Sequence, residues 1–327
     1  MEFLNYYNRL RQAVEEELSQ LIPEERPRTL YEPIRYILSG GGKRVRPVLT
    51  MMACEAVGGN PLHALHAGIA VEVLHNFTLV HDDIMDSANM RRNRPTVHKK
   101  WNDNSAILSG DCMMPLAYRI LLKTSSLQRL PELISAFNTG VIEVCEGQAY
   151  DLEFAHERDI TLDDYRVMIE KKTAKMLELA VVAGALVASA PEEHITALRQ
   201  YAIAVGTGFQ IQDDLLDAIA NEEEFGKRIG GDIIEGKKTF LILSAQQKAV
   251  LPDDIALLEK FYNEQGLLPD DVPAMIDLFH RTGVIEATLC EVQRYMHEAH
   301  QALSALPDNA GKSMLAHFAE MLVQRTS

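Results

Sequence analysis

Cysteine is scarce in this chain of 327 residues. Its four cysteines, Cys54, Cys112, Cys145 and Cys290, are far apart and form no C-x-x-C pair. They fit reduced thiols of a cytosolic protein, buried as small apolar residues. Positive charge is also in deficit, with 32 Lys and Arg against 47 Asp and Glu and a net charge of -15. A nucleic-acid binder usually presents a basic field, so no nucleic-acid partner is expected. Long apolar runs are missing. The longest uncharged one of note, LAVVAGALVASAP from Leu179 to Pro191, falls short of the roughly 20 residues a membrane span requires. It reads as a buried helix whose Ala and Gly let a neighbour approach closely, and no membrane anchor is expected. The first residues, MEFLNYYNRLRQAVEEEL, carry acids and no apolar h-region, unlike a signal peptide. The expected location is cytoplasmic.

The chain is 47% hydrophobic and 24% charged. A chain of this size and composition builds a large core without disulfides or a structural metal. Helical periodicity dominates, and no series of alternating strands is evident. Asn60-Pro61 is a helix start, with a capping side chain followed by Pro at the first helical position. Thr161-Leu162-Asp163-Asp164 resembles a capping box before a helix running through YRVMIEKKTAKMLELAVVAGALV. A further helix is expected from about Glu192 through QYAIAVGTGFQIQDDLLDAI, and the tail beyond about Leu251 reads as helical. With no Pro/Ser/Gly-rich linker and no fixed repeat, the expectation is one large all-α domain over 1–327. Two polar segments interrupt the pattern: Ser87 to Lys100 and Asn221 to Thr239.

Acids cluster where helices end. Residues three and four apart share a helix face, so Asp82, Asp83 and Asp86 of HDDIMD can bring their carboxylates together. QDDLLD repeats the device with Asp213, Asp214 and Asp217. Each set stands at the C-terminal end of an apolar helix, where the helix dipole disfavours anions. Such clusters work against stability unless cations neutralise them. Oxygen-only ligands point to Mg²⁺ bridging carboxylates to phosphates. A solvated acidic face would explain one copy more readily than two. The EF-hand spacing is absent.

A polyanionic ligand also calls for Arg and Lys. These cluster in GGGKRVRP (Lys43, Arg44, Arg46), MRRNRP (Arg91, Arg92, Arg94), EKKTAK (Lys171, Lys172, Lys175) and the glycine-rich stretch (Lys227, Arg228, Lys237, Lys238). Gly231 to Lys237 matches G-x-x-x-x-G-K, but Lys238 replaces the metal-binding Ser or Thr and no strand precedes it, so a P-loop is rejected. His75 stands two turns before Asp82, where a lone histidine is ordinarily structural. His81-Asp82 also raises an HD-type metal phosphohydrolase, which would leave QDDLLD and GGGKRVRP unexplained.

In order, GGGKRVRP, LHNFTLVHDDIMD, MRRNRPTVH, KKTAKML, GFQIQDDLLD and GKRIGGDIIEGKKT resemble the trans-isoprenyl diphosphate synthases, from about Gly40 to Thr239. The resemblance implies an all-α bundle of the isoprenoid synthase type, its active-site cavity between the helices that carry the two aspartate motifs. It implies that the six aspartates hold Mg²⁺ ions, several per site, gripping an allylic diphosphate. Arg91, Lys172 and Lys237 would complete that site, with Lys227 on a closing loop hinged at Gly226, Gly230, Gly231 and Gly236. Lys43, Arg46, His75 and Arg92 would bind isopentenyl diphosphate. Thr173 and Gln210 would face the developing carbocation, and Asp232 matches a position in the mobile loop.

The chemistry this implies is ionisation, condensation and elimination. An allylic C–O bond ionises, the double bond of isopentenyl diphosphate attacks the cation, and the departed diphosphate takes the proton. Charge stabilisation of the leaving group is the main task, and no nucleophilic triad is needed. Phe77 lies five residues before Asp82, about 7–8 Å along the helix at 1.5 Å per residue, with Leu74 and Val71 one and two turns deeper. A bulky residue there resembles short-chain members, and DDIMD lacks the two-residue insertion common in bacterial farnesyl synthases. Together they favour geranylgeranyl diphosphate over a farnesyl or longer product. A class I terpene cyclase would not need Lys43, Arg46 and Arg92. A non-catalytic partner subunit would be expected to have lost some of these groups. The resemblance further implies a homodimer.

Overall fold

The computed structural model describes residues 2–22, 26–124, 128–219 and 230–323. They divide into two compact units. The first comprises the described residues up to 141 with 176–199 and 305–315, and the second comprises 142–175, 200–304 and those from 316 onward.

Within the first unit, α1 (Glu2–Leu21), α2 (Arg28–Leu38) and α3 (Val45–Ala56) precede the helix that carries the first aspartate motif. The Asn60 side chain accepts from the Leu62 amide at 3.0 Å and Pro61 opens a 3-10 turn, Pro61–Ala64. This satisfies an otherwise orphaned donor at the start of that turn, which leads into α4 (Leu65–Met85). Ten consecutive positions of α4, Ala67 through Asn76, are buried apart from half-buried His75. A helix apolar nearly all round must be surrounded by others. Another such helix is α9 (Lys175–Val187), buried from Leu179 to Val187, as the run of small and branched residues led one to expect. Its Gly184 lets α3 approach: a Cβ there would stand 2.1 Å from the Thr50 carbonyl oxygen.

Ser87 to Lys100 departs from the expected absence of strands. Met90–Arg91 (β1) pairs antiparallel with Arg94–Pro95 (β2). The two connecting residues, Arg92 and Asn93, both have positive φ, 51° and 58°. That is the backbone of a two-residue hairpin turn whose hand matches strand twist. Asn tolerates this conformation. Arg pays a Cβ clash of roughly 1–2 kcal/mol there, which period-two patterning over so few residues could not reveal. After α5 (Val97–Lys100), α6 (Asp103–Leu121) starts where the Asn102 side chain accepts from the Ser105 amide at 2.8 Å.

The second unit takes α7 (Leu130–His156) from Ile142 on, then α8 (Leu162–Ile169), opened by the expected capping box. The Thr161 hydroxyl accepts from the Asp164 amide at 3.1 Å, and the Asp164 carboxylate accepts from the Thr161 amide at 2.9 Å. The anticipated continuous helix is interrupted at Glu170–Ala174 by a π-helical turn. This wider turn places the KKT motif, and such turns cannot be told from α-helix by sequence period. Most of α10 (Glu192–Ile219) follows, then α11 (Gly231–Ile234), α12 (Phe240–Lys248), α13 (Pro252–Glu264), α14 (Val272–Arg281), α15 (Val284–Leu303) and the end of α16 (Ala310–Val323). The expected helical tail is therefore present. Its core gathers Leu215, Leu241, Ile242, Phe261, Met275, Leu278 and Phe279, and a smaller cluster packs Tyr165, Ile169, Ile211, Phe240 and Val292.

The cysteines depart from expectation. Cys54 is buried, but Cys112 is half-buried and Cys145 and Cys290 are exposed. Their spacing carries no burial signal, because each takes the exposure of its own helix face. No described helix is long and apolar enough to cross a membrane.

Candidate active site

The first aspartate motif occupies the last turn of α4, with Asp86 as its C-cap. Asp82 is half-buried, Asp86 exposed and Asp83 1% exposed. Asp83 turns inward to the hairpin, and the Arg91 Nε donates to its Oδ1 at 2.6 Å. Burial pushes the Asp83 carboxyl pKa up, and Arg91 opposes that. The second carboxylate oxygen, Oδ2, is buried with no hydrogen-bond partner.

The two arginines of the hairpin diverge. Arg91 meets the aspartate motif. Arg92 reaches the Gly40–Gly42 turn, where its guanidinium donates to the Gly41 carbonyl at 2.6 Å. Gly42 is required twice over. Its φ is 126°, and a Cβ would come within 2.9 Å of the Arg92 side chain. The same turn leads through exposed Lys43 into α3 and half-buried Arg46. Burial and neighbouring Arg92 push the Arg46 guanidinium down to about 10 against the pull of Glu72. The Arg46 Nε is buried without a partner. Half-buried His75 is held well below the ordinary histidine value, first by burial and then by Arg46, Arg92, Arg91 and Arg44. Arg46 and Arg92 therefore form a cationic corner beside neutral His75.

What holds that corner was not foreseen. Arg44, 2% exposed, donates to Glu72 at 2.9 Å, to Glu15 at 2.8 Å and to the Leu38 carbonyl at 2.6 Å. Glu72, 3% exposed, also accepts from Asn76. A lone acid inside the apolar stretch AVEVLHNF was the available signal: a buried carboxylate requires a cation. Phe77, 8% exposed, stacks edge-on against His81 at 4.8 Å between ring centroids, and Leu74 and Val71 are fully buried.

The second motif lies on α10 in the other unit. Asp214 is 7% exposed. The Tyr165 hydroxyl donates to its Oδ2 at 2.6 Å and the Gln210 amide to its Oδ1 at 2.9 Å. The Thr173 hydroxyl in turn donates to Gln210 Oε1 at 2.9 Å. Burial and nearby Asp232 push the Asp214 carboxyl up, opposed by the Tyr165 and Gln210 hydrogen bonds. Half-buried Asp217 accepts from the Asp232 amide at 2.9 Å, and Asp213 is half-buried.

The basic residues of this unit are paired. Lys172 in the π turn donates to Asp151 at 2.6 Å. Lys237 contacts Asp232 at 2.9 Å and Glu235 at 2.8 Å. Burial works against the Lys237 charge, yet these carboxylates outweigh it and hold its pKa above the ordinary lysine value. Asp151 and Tyr165 were not among the expected site residues, since neither stands in a spaced cluster of like groups. Gly226, Lys227 and Arg228 lie outside the described residues.

Among the described residues, no three His, Cys, Asp or Glu side chains are gathered for one ion. In each motif the inner aspartate is instead engaged by protein donors. The donor chemistry nonetheless suits a hard divalent cation, since the candidate groups are all carboxylate oxygens and Asp83 Oδ2 is buried without a partner.

The helical architecture is that of solved isoprenoid-forming enzymes. Geranylgeranyl pyrophosphate synthetase from Pyrococcus horikoshii Ot3 superposes with a TM-score of 0.92 at 36% identity, over 99% of this chain and 100% of that one. The chain matches the polyprenyl synthetase family over residues 27–279. It is 36% identical over 313 residues to the geranylgeranyl diphosphate synthase of Methanosarcina mazei, covering 95% of this chain and 94% of that protein. It is 32% identical over 326 residues to the short chain isoprenyl diphosphate synthase of Methanothermobacter thermautotrophicus, covering 99% of each. The chain belongs to the polyprenyl synthetase family, and it is a prenyltransferase.

Proposed function

We propose that this enzyme is a Mg²⁺-dependent geranylgeranyl diphosphate synthase, extending an allylic diphosphate with isopentenyl diphosphate. The observation that carries the reading is the divergence of Arg91 and Arg92 from one hairpin. One serves the aspartate motif, and its neighbour serves the corner where Arg46 stands beside neutral His75. Two anion-receiving sets are what condensation of two diphosphates needs, and a cyclase needs only one. The names of the relatives support the twenty-carbon product.

In this reading Asp82, Asp83, Asp86, Asp213, Asp214 and Asp217 hold Mg²⁺. When bound, the metal offsets the charge of the departing diphosphate. Arg91, Lys172 and Lys237 add fixed positive charge to the same anion. Lys43, Arg46, His75 and Arg92 receive isopentenyl diphosphate. The depressed Arg46 supports this, because an arriving anion relieves the crowding of cations there. Thr173 and Gln210 present oxygen to the developing cation. Phe77, backed by Leu74, closes the apolar space for the tail.

The test is a product assay with Mg²⁺, isopentenyl diphosphate and dimethylallyl, geranyl or farnesyl diphosphate, resolved by chain length. A dominant twenty-carbon product, lengthened in Phe77→Ala, is expected. Products without a condensed isoprene unit would point to a cyclase, and no product from the chain alone would point to a partner subunit. A homodimer is the working state in this reading, and sedimentation equilibrium tests it.

A further inference from the structure

Tyr165 belongs to none of the motifs that mark this site, yet it makes a buried hydrogen bond to one of them. It sits on α8, 1% exposed, within the smaller core of the second unit. A phenol in an apolar cluster needs a partner for its hydroxyl. Here the partner is Asp214 Oδ2 at 2.6 Å.

The hydrogen bonds beyond it run in one direction. Both oxygens of Asp214 accept, Oδ2 from the Tyr165 hydroxyl and Oδ1 from the Gln210 amide nitrogen. The Gln210 carbonyl oxygen then faces Thr173, and the Thr173 hydroxyl spends its only proton on that oxygen. Both lone pairs of the Thr173 oxygen are left for a positive neighbour. In this arrangement every donor meets an acceptor. Tyr165 occupies the oxygen of Asp214 that Gln210 does not, and so prevents the carboxylate from rotating away from Gln210.

We infer that Tyr165 is a positioning residue, which by anchoring Asp214 fixes the Gln210 amide and aims the Thr173 lone pairs at the developing allylic cation. The inference rests on the synthase reading above. It predicts a residue whose loss impairs ionisation without impairing capture of isopentenyl diphosphate.

The test uses the full-length chain with Tyr165→Phe, Thr173→Val, Thr173→Ser and the combined variants. Tyr165→Phe, which keeps the packing and removes only the hydroxyl, is expected to lower kcat about tenfold, with KM for isopentenyl diphosphate within about twofold. Effects transmitted through one chain are not independent. Adding Tyr165→Phe to Thr173→Val should therefore cost less than about twofold, whereas adding it to Thr173→Ser should again cost about tenfold. An unchanged kcat, or full multiplication of the two losses in the Val background, would overturn the relay. Calorimetry with Mn²⁺ and inorganic diphosphate supplies a readout without turnover. Affinity about threefold or more weaker in Tyr165→Phe is expected, and an unchanged affinity would overturn the anchoring of Asp214. If the unaltered chain forms no prenyl product but its Mn²⁺ affinity responds to Tyr165→Phe, the synthase reading fails while the anchoring stands.

Discussion

Asp83 and Asp214 hold the same place in the two copies of one motif, and the protein settles them by opposite means. Asp83 is held by a full charge, the Arg91 guanidinium, and keeps one buried oxygen unpartnered. Asp214 is held by two neutral donors, Tyr165 and Gln210, and both its oxygens are satisfied. The cations of the two units differ likewise. In the first unit, Arg46 and Arg92 crowd together and Glu72 works against their mutual repulsion. In the second, Lys172 and Lys237 each rest on a local carboxylate. The lesson is that a carboxylate motif specifies what a site needs, while its packing decides whether a charge or a dipole keeps it in place. A site held by charge responds to neutralisation of its partner. A site held by dipoles responds to geometry.

The largest expected effect falls on the buried clamp. Glu72→Gln leaves Arg44, Arg46 and Arg92 without their shared counter-charge and should cost about 3–5 kcal/mol of stability. Asp151→Asn, at a pair whose side chains are 27–32% exposed, should cost within about 1 kcal/mol. Urea denaturation measures both, and similar losses would break the contrast between the units.

Next come the inner aspartates. Asp83→Asn and Asp214→Asn should each lower kcat by about 10²–10³. Asp83→Asn should also raise KM for the allylic substrate, because Arg91 is released. Asp214→Asn should leave that KM nearly unchanged. Steady-state kinetics distinguish the two patterns, and matching KM shifts would end the comparison.

A smaller effect concerns Lys172. Its backbone passes so close to Gly147 that a Cβ there would stand 2.2 Å from the Lys172 amide nitrogen. Gly147→Ala should therefore cost about 1–3 kcal/mol by overpacking, together with a loss of kcat as the π turn shifts. Thermal unfolding beside the kinetics checks it. Retained stability and activity would mean that the contact has no part in placing Lys172.

The smallest effect is one of pH. His75 has a folded-state pKa well below its ordinary 6.5. The unfolded chain therefore binds a proton that the folded chain refuses. The stability contributed is complete above pH 6.5 and falls as pH drops below that value, by about 1 kcal/mol between pH 6.5 and 5.5. Urea unfolding at the two pH values, compared with His75→Gln, isolates it. The variant should lose less stability on acidification than the unaltered protein.

Much of this site can be read along the chain because its logic is local. Offsets of three and four residues bring aspartates to one helix face whatever the helix packs against. A capping side chain three residues before its partner works within one turn, as at Thr161. A run such as LAVVAGALV has to be buried because no face of it suits water. These features fixed the long helices, both aspartate motifs, the basic clusters and the family itself. The tertiary structure decided what depends on groups distant in sequence. Glu72 meets Arg44, 28 residues away, Tyr165 meets Asp214, 49 away, and Arg92 meets Gly41, 51 away. It also decided the π turn at KKT and the strained turn at Arg92, where contacts outweigh local preference. Spacing determines which groups a chain can bring to one face, but a buried charge or dipole is settled only by the partner that folding brings to it.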